Sequence, residues 1–324
     1  MNAYRAALIA LAVVLVGSMI AQVSLAPQDR PDRPRVWIAY ASPKGDQSYV
    51  DSAWTGLDRA NRTRSFSFEE FVPADRERLE ARLLSGTDRP DLVIVQDSGQ
   101  WPDAGSAWSL AHPDVAFLVI DGTVTLRPNV RWVRIASRGV SYLAGALAAS
   151  AANGRPIAVL AAMPSTVMDE YVQGFSAGAL AASPGTPVAI RYIGDTLDAY
   201  SAPDKAAEIA DDLYRNGTAV IYAACGGSAV GVIDAAGRGP GRFVVGVDRD
   251  MTALGPDVIL GSAVKGVDRL VEEAIADHLD GTLAPGATRI GLGENATALV
   301  LNPRFAQHGF VLERYRAAAE EWDG

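Results

Sequence analysis

At 324 residues, 49% of them hydrophobic and 21% charged, the chain is long enough for two globular domains with sizeable cores. Its net charge of −9 argues against a nucleic-acid-binding surface, which needs a basic patch. A single cysteine, Cys225, excludes an intramolecular disulfide and a cysteine-based zinc site, and His112, His278 and His308 stand far apart with no metal-ligand spacing.

The N-terminus carries an export pattern. Arg5 precedes an apolar run over residues 6–20, broken only by Gly17 and Ser18. Ser24-Leu25-Ala26 has the small residues of a cleavage site, but Pro27 follows at once and hinders cutting. The apolar stretch through Ala26 is about long enough to span a bilayer, which takes about 20 residues. Residues 1–26 are therefore a signal peptide or a retained membrane anchor, with the anchor favoured, and residues 27–35 are a linker with alternating charges and two prolines in 28–35.

Short apolar runs then alternate with helical patterns. Strands are expected at 36–40, 65–68, 92–96, 116–121 and 130–135, with helices at 48–60 and 74–85. The pattern restarts with an Ala-rich helix at 141–152, stopped by Asn153-Gly154. Strands follow at 157–162, 188–193, 219–224, 243–247 and 258–264, separated by helices at 167–182, 203–216 and 226–236. A helix at 269–279, short strands at 290–292 and 299–301, and a helix over 303–322 end the chain. Two successive runs of β-α units predict an α/β protein with two lobes, each a parallel sheet covered by helices, and a cleft between them.

The candidate site residues all fall at strand ends or in the loops just after, where open α/β sheets bind ligands. Asp248 ends one buried strand and Lys265 the next, either a pairing suited to a polar, hydroxylated ligand or a turn-capping acid and a solvated lysine at a helix start. Only three lysines stand against 26 arginines, which singles out Lys44, Lys205 and Lys265 for work that a point charge performs. Asp121 ends a strand before Gly122, where its carboxylate either accepts from ring N–H groups or hydroxyls or makes an Asx-turn. Tyr49 opens the first helix after Pro43-Lys44-Gly45-Asp46-Gln47-Ser48, with Ser48 in the position of the cap. Tyr200, just before a helix start, is a stacking face or a hydrophobic staple. The glycine turn Cys225-Gly226-Gly227-Ser228 lets backbone approach a ligand, but it is neither GxGxxG, nor a P-loop, nor GxSxG. No nucleophile, base and orienting group assemble from these residues, so the pattern favours binding over catalysis and calls for no cofactor.

Several of these segments resemble the basic membrane protein family of ABC-transporter substrate-binding proteins, which includes bacterial purine nucleoside receptors. Gly45-Asp46-Gln47-Ser48-Tyr49 with Ser52-Ala53-Trp54-Thr55-Gly56-Leu57 is similar to the family's GDKSFN-x-SAWEGL segment. Ile120-Asp121, Pro128-Asn129-Val130, Ser141-Tyr142-Leu143-Ala144-Gly145, Gly174-Phe175-x-x-Gly178, Ala224 to Gly227, Gly246-Val247-Asp248-x-Asp250 and Pro256-Asp257-Val258 through Lys265 follow in the family's order. The resemblance implies a two-lobed type I periplasmic-binding-protein fold with a nucleoside in the cleft. It implies a first lobe of residues 36–136 plus 252–282 and a second of 137–251 plus 283–324. Tyr49 and Tyr200 would sandwich the base where the family has Phe, Asp121 would contact the base edge, Asp248 and Lys265 would bind ribose hydroxyls, and Gly227 would line the pocket. The family's Asn after the first aromatic is Val50 here, and its lipoprotein cysteine is missing. The implied partners are a nucleoside, an ABC permease and, through the N-terminal segment, the membrane. The reading from another class is a membrane-anchored sensory or regulatory protein on the same fold.

Overall fold

The computed structural model describes residues 33–323 apart from 87, 98 and 125. The apolar N-terminal stretch and most of the linker lie outside the described residues. Among the described residues, no helix is long and apolar enough to cross a membrane.

The first run of β-α units gives strands β1 (Arg35–Ala39), β2 (Ser67–Phe71), β3 (Leu92–Gln96), β4 (Ala116–Ile120) and β5 (Val130–Ile135), with helices α1 (Tyr49–Thr63) and α2 (Arg76–Ser85). The second gives β6 (Ile157–Ala161), β7 (Val188–Tyr192), β8 (Val220–Ala224), β9 (Phe243–Asp248) and β10 (Ile259–Lys265), with α3 (Arg138–Ala152), α4 (Thr166–Ala182), α5 (Pro203–Arg215) and α6 (Ala229–Gly237). Helix α7 (Val267–Leu279), strands β11 (Gly286–Ile290) and β12 (Thr297–Leu301) and helix α8 (Phe310–Glu321) complete the chain.

Two six-stranded sheets result, ordered β11-β5-β4-β3-β1-β2 and β12-β10-β9-β8-β6-β7. All pairings are parallel except that of β10 with β12. The central strands β3, β6 and β8 are buried along their whole length, as continuous apolar runs covered on both faces must be. Strands β2 and β7, with charged residues, close the open edges. The two sheets share one strand order, so β4 and β9 occupy equivalent places in the two lobes.

The chain crosses between the lobes right after β5, right after β10 and between β11 and β12. Helix α3 packs on β8 and β10 of the second sheet, and α7 packs on α1 of the first lobe. The expected lobe boundaries therefore shift at two joints. Strand β10, expected in the first lobe, pairs with β9 in the second, and β11, expected in the second, extends the first sheet beside β5. The expected strand at 290–292 lies earlier, because residues 291–296 are taken up by a turn in which Glu294 accepts from the Gly291 N–H at 2.8 Å. The expected helix over 303–322 is broken. A 3-10 turn at Pro303–His308 precedes α8, and Phe305 (φ −113°, ψ 29°) leaves helical geometry.

The second lobe owes its close helix packing to glycine. A Cβ on Gly178 would stand 1.8 Å from the Tyr142 carbonyl oxygen, and one on Gly145 1.9 Å from that of Phe175. Helices α3 and α4 thus meet backbone to backbone, which only hydrogen side chains permit.

Candidate functional site

Strands β4 and β9 each deliver an aspartate at the carboxyl end. Asp121 follows β4 and Asp248 is the last residue of β9, and both adopt left-handed backbone, with φ of 62° and 64°. Aspartate visits this region more readily than most residues. Each is only 7% exposed. The shared strand order thus brings two buried carboxylates, one from each lobe, to one cleft.

Asp121 is held by charge and by backbone. Its Oδ1 accepts from the Ile135 N–H at 3.0 Å, with Arg134 Nε at 4.0 Å. Its Oδ2 accepts from Lys265 Nζ at 2.7 Å and from the Tyr49 hydroxyl at 2.9 Å. Lys265 is the last residue of β10 and only 4% exposed, so it is a buried partner of Asp121 rather than a solvated helix residue. Its ammonium also lies 5.2 Å from the centre of the Tyr49 ring, a cation–π distance. Burial, and then the Asp121 charge, push the Tyr49 phenol well above its ordinary pKa, so Tyr49 stays a hydrogen-bond donor.

Asp248 accepts from Ser48 Oγ at 2.5 Å and from the Tyr171 hydroxyl at 3.2 Å. Ser48 precedes α1 in the first lobe, so this bond joins the two lobes across the cleft. The cap role expected of Ser48 falls to Asp46 instead, whose oxygens accept from the N–H groups of Ser48, Val50 and Asp51 at 2.9–3.0 Å. That releases the Ser48 hydroxyl for Asp248. Burial pushes the Asp248 carboxyl above its ordinary pKa, although Lys265 and the Ser48 bond pull the other way.

Tyr49 from the first lobe and Tyr200 from the second both line the pocket, as do Asp121, Gly227, Asp248 and Lys265. All six sequence candidates therefore surround one space. Burial pushes the Tyr200 phenol up to about 12. Gly226 and Gly227 run beneath Tyr200. A Cβ on Gly226 would stand 3.1 Å from its ring, and one on Gly227 would stand 3.2 Å from its carbonyl oxygen and 3.3 Å from the Asp46 Cα of the opposite lobe. Val50 is 1% exposed, belongs to the core beneath α1 and also borders the pocket. Cys225 sits in the second-lobe core, where burial pushes its thiol up and away from reactivity. Among the described residues, no group of three or more His, Cys, Asp or Glu side chains could hold a metal.

Sequence reasoning missed two supporting groups. Tyr171 reaches Asp248 from within α4, where an aromatic at a buried helical position reads simply as core. Beside it, Glu170 accepts from the Ser137 N–H at 3.0 Å, from Arg134 at 3.3 Å and from Arg289 at 3.2 Å. An acid on the core face of a helix was the available signal, because such a residue needs buried partners.

Known proteins resemble this chain in sequence and fold. The family of PnrA-like ABC transporter substrate-binding proteins, Bmp, matches residues 34–307. The chain is 32% identical over 194 residues to basic membrane protein D of Borreliella burgdorferi, a match spanning 58% of this chain and 56% of that protein. It is 27% identical over 271 residues to the ABC transporter nucleoside-binding protein BmpA of Lactococcus lactis subsp. cremoris, covering 78% of this chain and 76% of that one. A crystal structure of an ABC transporter solute-binding protein from Aeropyrum pernix superposes with a TM-score of 0.74 at 23% identity, over 89% of this chain and 86% of that one, and shows the same two-lobed fold. The match over residues 34–307 makes this chain a member of the Bmp family of ABC transporter substrate-binding proteins.

Proposed function

We propose that the chain binds a nucleoside, of the purine class, between its lobes and delivers it to an ABC permease outside the cytoplasm. The observation that carries this reading is the pairing of chemistries in one pocket. Two tyrosine rings, one from each lobe, stand by a buried carboxylate and a buried ammonium. A planar, apolar-faced base suits the rings, and stacking on aromatics is worth roughly 1–3 kcal/mol per base. Asp248 accepts one hydrogen bond on each oxygen among the described residues, so each keeps a lone pair for a sugar hydroxyl. Lys265 keeps N–H groups beyond the one given to Asp121, and a neighbouring hydroxyl can accept one of them. Such charge-assisted bonds are about twice as strong as neutral ones. In this reading Tyr49 and Tyr200 hold the base, Asp248 and Lys265 hold the ribose, Gly227 gives close backbone approach, and Asp121 borders the base edge.

Family membership and the name of the Lactococcus relative support the nucleoside class. The apolar run over residues 6–20 supports export, with the N-terminal segment as signal or tether. Thermal unfolding of the purified protein against nucleosides, free bases and sugars tests the proposal. A ligand at about 100 times its Kd adds about 2.7 kcal/mol, which raises Tm by several degrees. A shift with purine nucleosides is the expected result, and no shift with any nucleoside would refute the assignment.

A further inference from the structure

The two cleft carboxylates differ in what they can still accept. Each carboxylate oxygen has about two acceptor positions. Asp121 Oδ2 fills both, with Tyr49 and Lys265, while Oδ1 faces the Ile135 N–H and Arg134. Its side chain is 3% exposed, and Oδ2, the oxygen bonded to Tyr49, is the one with no acceptor position left. Asp248 has one internal donor on each oxygen. One carboxylate is therefore spent on the protein and the other is available to a ligand.

From this asymmetry we infer that Tyr49 determines specificity: its hydroxyl occupies the acceptor position on Asp121 that a ligand N–H would otherwise take, so the pocket selects a ring whose edge lacks an N–H donor there. The inference rests on the nucleoside reading and narrows it. A ring stacked on Tyr49 extends toward the phenol oxygen and the Asp121 carboxylate bonded to it. An N–H pointing there loses its bond to water and meets an oxygen already filled by two donors. An unprotonated ring nitrogen meets no such loss, because it brings no N–H that needs an acceptor on Asp121. Discrimination of this kind comes from the buried group left unpaired.

The test uses purine riboside, whose ring edge carries no N–H, and inosine, whose ring carries one at N1. Their dissociation constants are measured by calorimetry on the full-length protein and on Tyr49→Phe. Wild type should prefer purine riboside. Tyr49→Phe keeps the ring, frees one acceptor position on Asp121, and should lower the ratio Kd(inosine)/Kd(purine riboside) by about tenfold or more, the factor expected of one hydrogen bond to a charged group. Continued binding of purine riboside by the variant shows that its pocket is intact. A wild type that prefers inosine, or a ratio that Tyr49→Phe leaves unchanged, overturns the inference while leaving the nucleoside reading standing. Failure of the wild type to bind any nucleoside overturns both.

Discussion

Asp248 combines left-handed backbone, burial and a carboxylate bridging the lobes, so its replacement must separate backbone from charge. Asparagine tolerates the left-handed region, whereas alanine adds backbone strain on the order of 1 kcal/mol. Asp248→Asn should lower ligand affinity at least tenfold in a calorimetric titration. Its effect on stability should run the other way. Burial raises the Asp248 pKa above 3.8 in the folded state, so the ionised group stabilises the fold less than the protonated one, and the deficit is complete above the raised value. Asp248→Asn should therefore unfold at an equal or higher temperature at pH 7. A variant that binds as wild type does would remove Asp248 from the site. Positions such as this were legible in the sequence because a strand end followed by a turn fixes where a side chain emerges. The bond from Tyr171 was not, since it depends on which face of α4 meets the cleft.

Between elements, the contacts that set lobe geometry lie where the chain crosses. Glu170 on α4 ties Ser137, just before α3, to Arg134 on β5 and Arg289 on β11. Burial pushes its carboxyl up, but the Ser137 N–H and the two guanidiniums outweigh that and hold it below its ordinary 4.5. A depressed acid stabilises the fold fully above its unfolded pKa, and that contribution is lost as pH falls through the folded value. Glu170→Gln should cost about 3 kcal/mol at pH 7, the low end for removing one partner of a buried ion pair. The gap between the denaturation curves of the two proteins should narrow as pH falls below 4.5 and through the lowered folded value; a constant gap across pH would show that charge is not the cause. Gly178→Ala should cost about 1–3 kcal/mol or more, seen as a lower denaturant midpoint, because α3 and α4 must separate to admit a Cβ 1.8 Å from a carbonyl oxygen. The existence of nearly every element was legible from apolar periodicity. The shifted strand at Gly286–Ile290 was not, because the half-exposed GATRI alternates too weakly to outbid the apolar residues after it.

For the whole molecule, the doubled β-α pattern revealed two lobes, but the lobe joints depended on long-range pairing. β10 looks like any buried strand until β9 and β12 claim it. The joints matter because they leave Asp121 and Lys265, from different sheets, bonded at 2.7 Å near the crossing points, while Ser48 and Asp248 also bond across the cleft. Hinge motion about these crossings would open and close the pocket around a ligand. In the proposed reading, one pocket holds a planar base and a hydroxylated sugar together. Calorimetric titration with a purine nucleoside, its free base and its 2′,3′-dideoxy analogue tests this most directly. The nucleoside should bind at least tenfold more tightly than either of the others, since each lacks one half of the recognised structure. Equal affinity for nucleoside and dideoxy analogue would contradict the assignment of Asp248 and Lys265 to the ribose, and with it the account of the site.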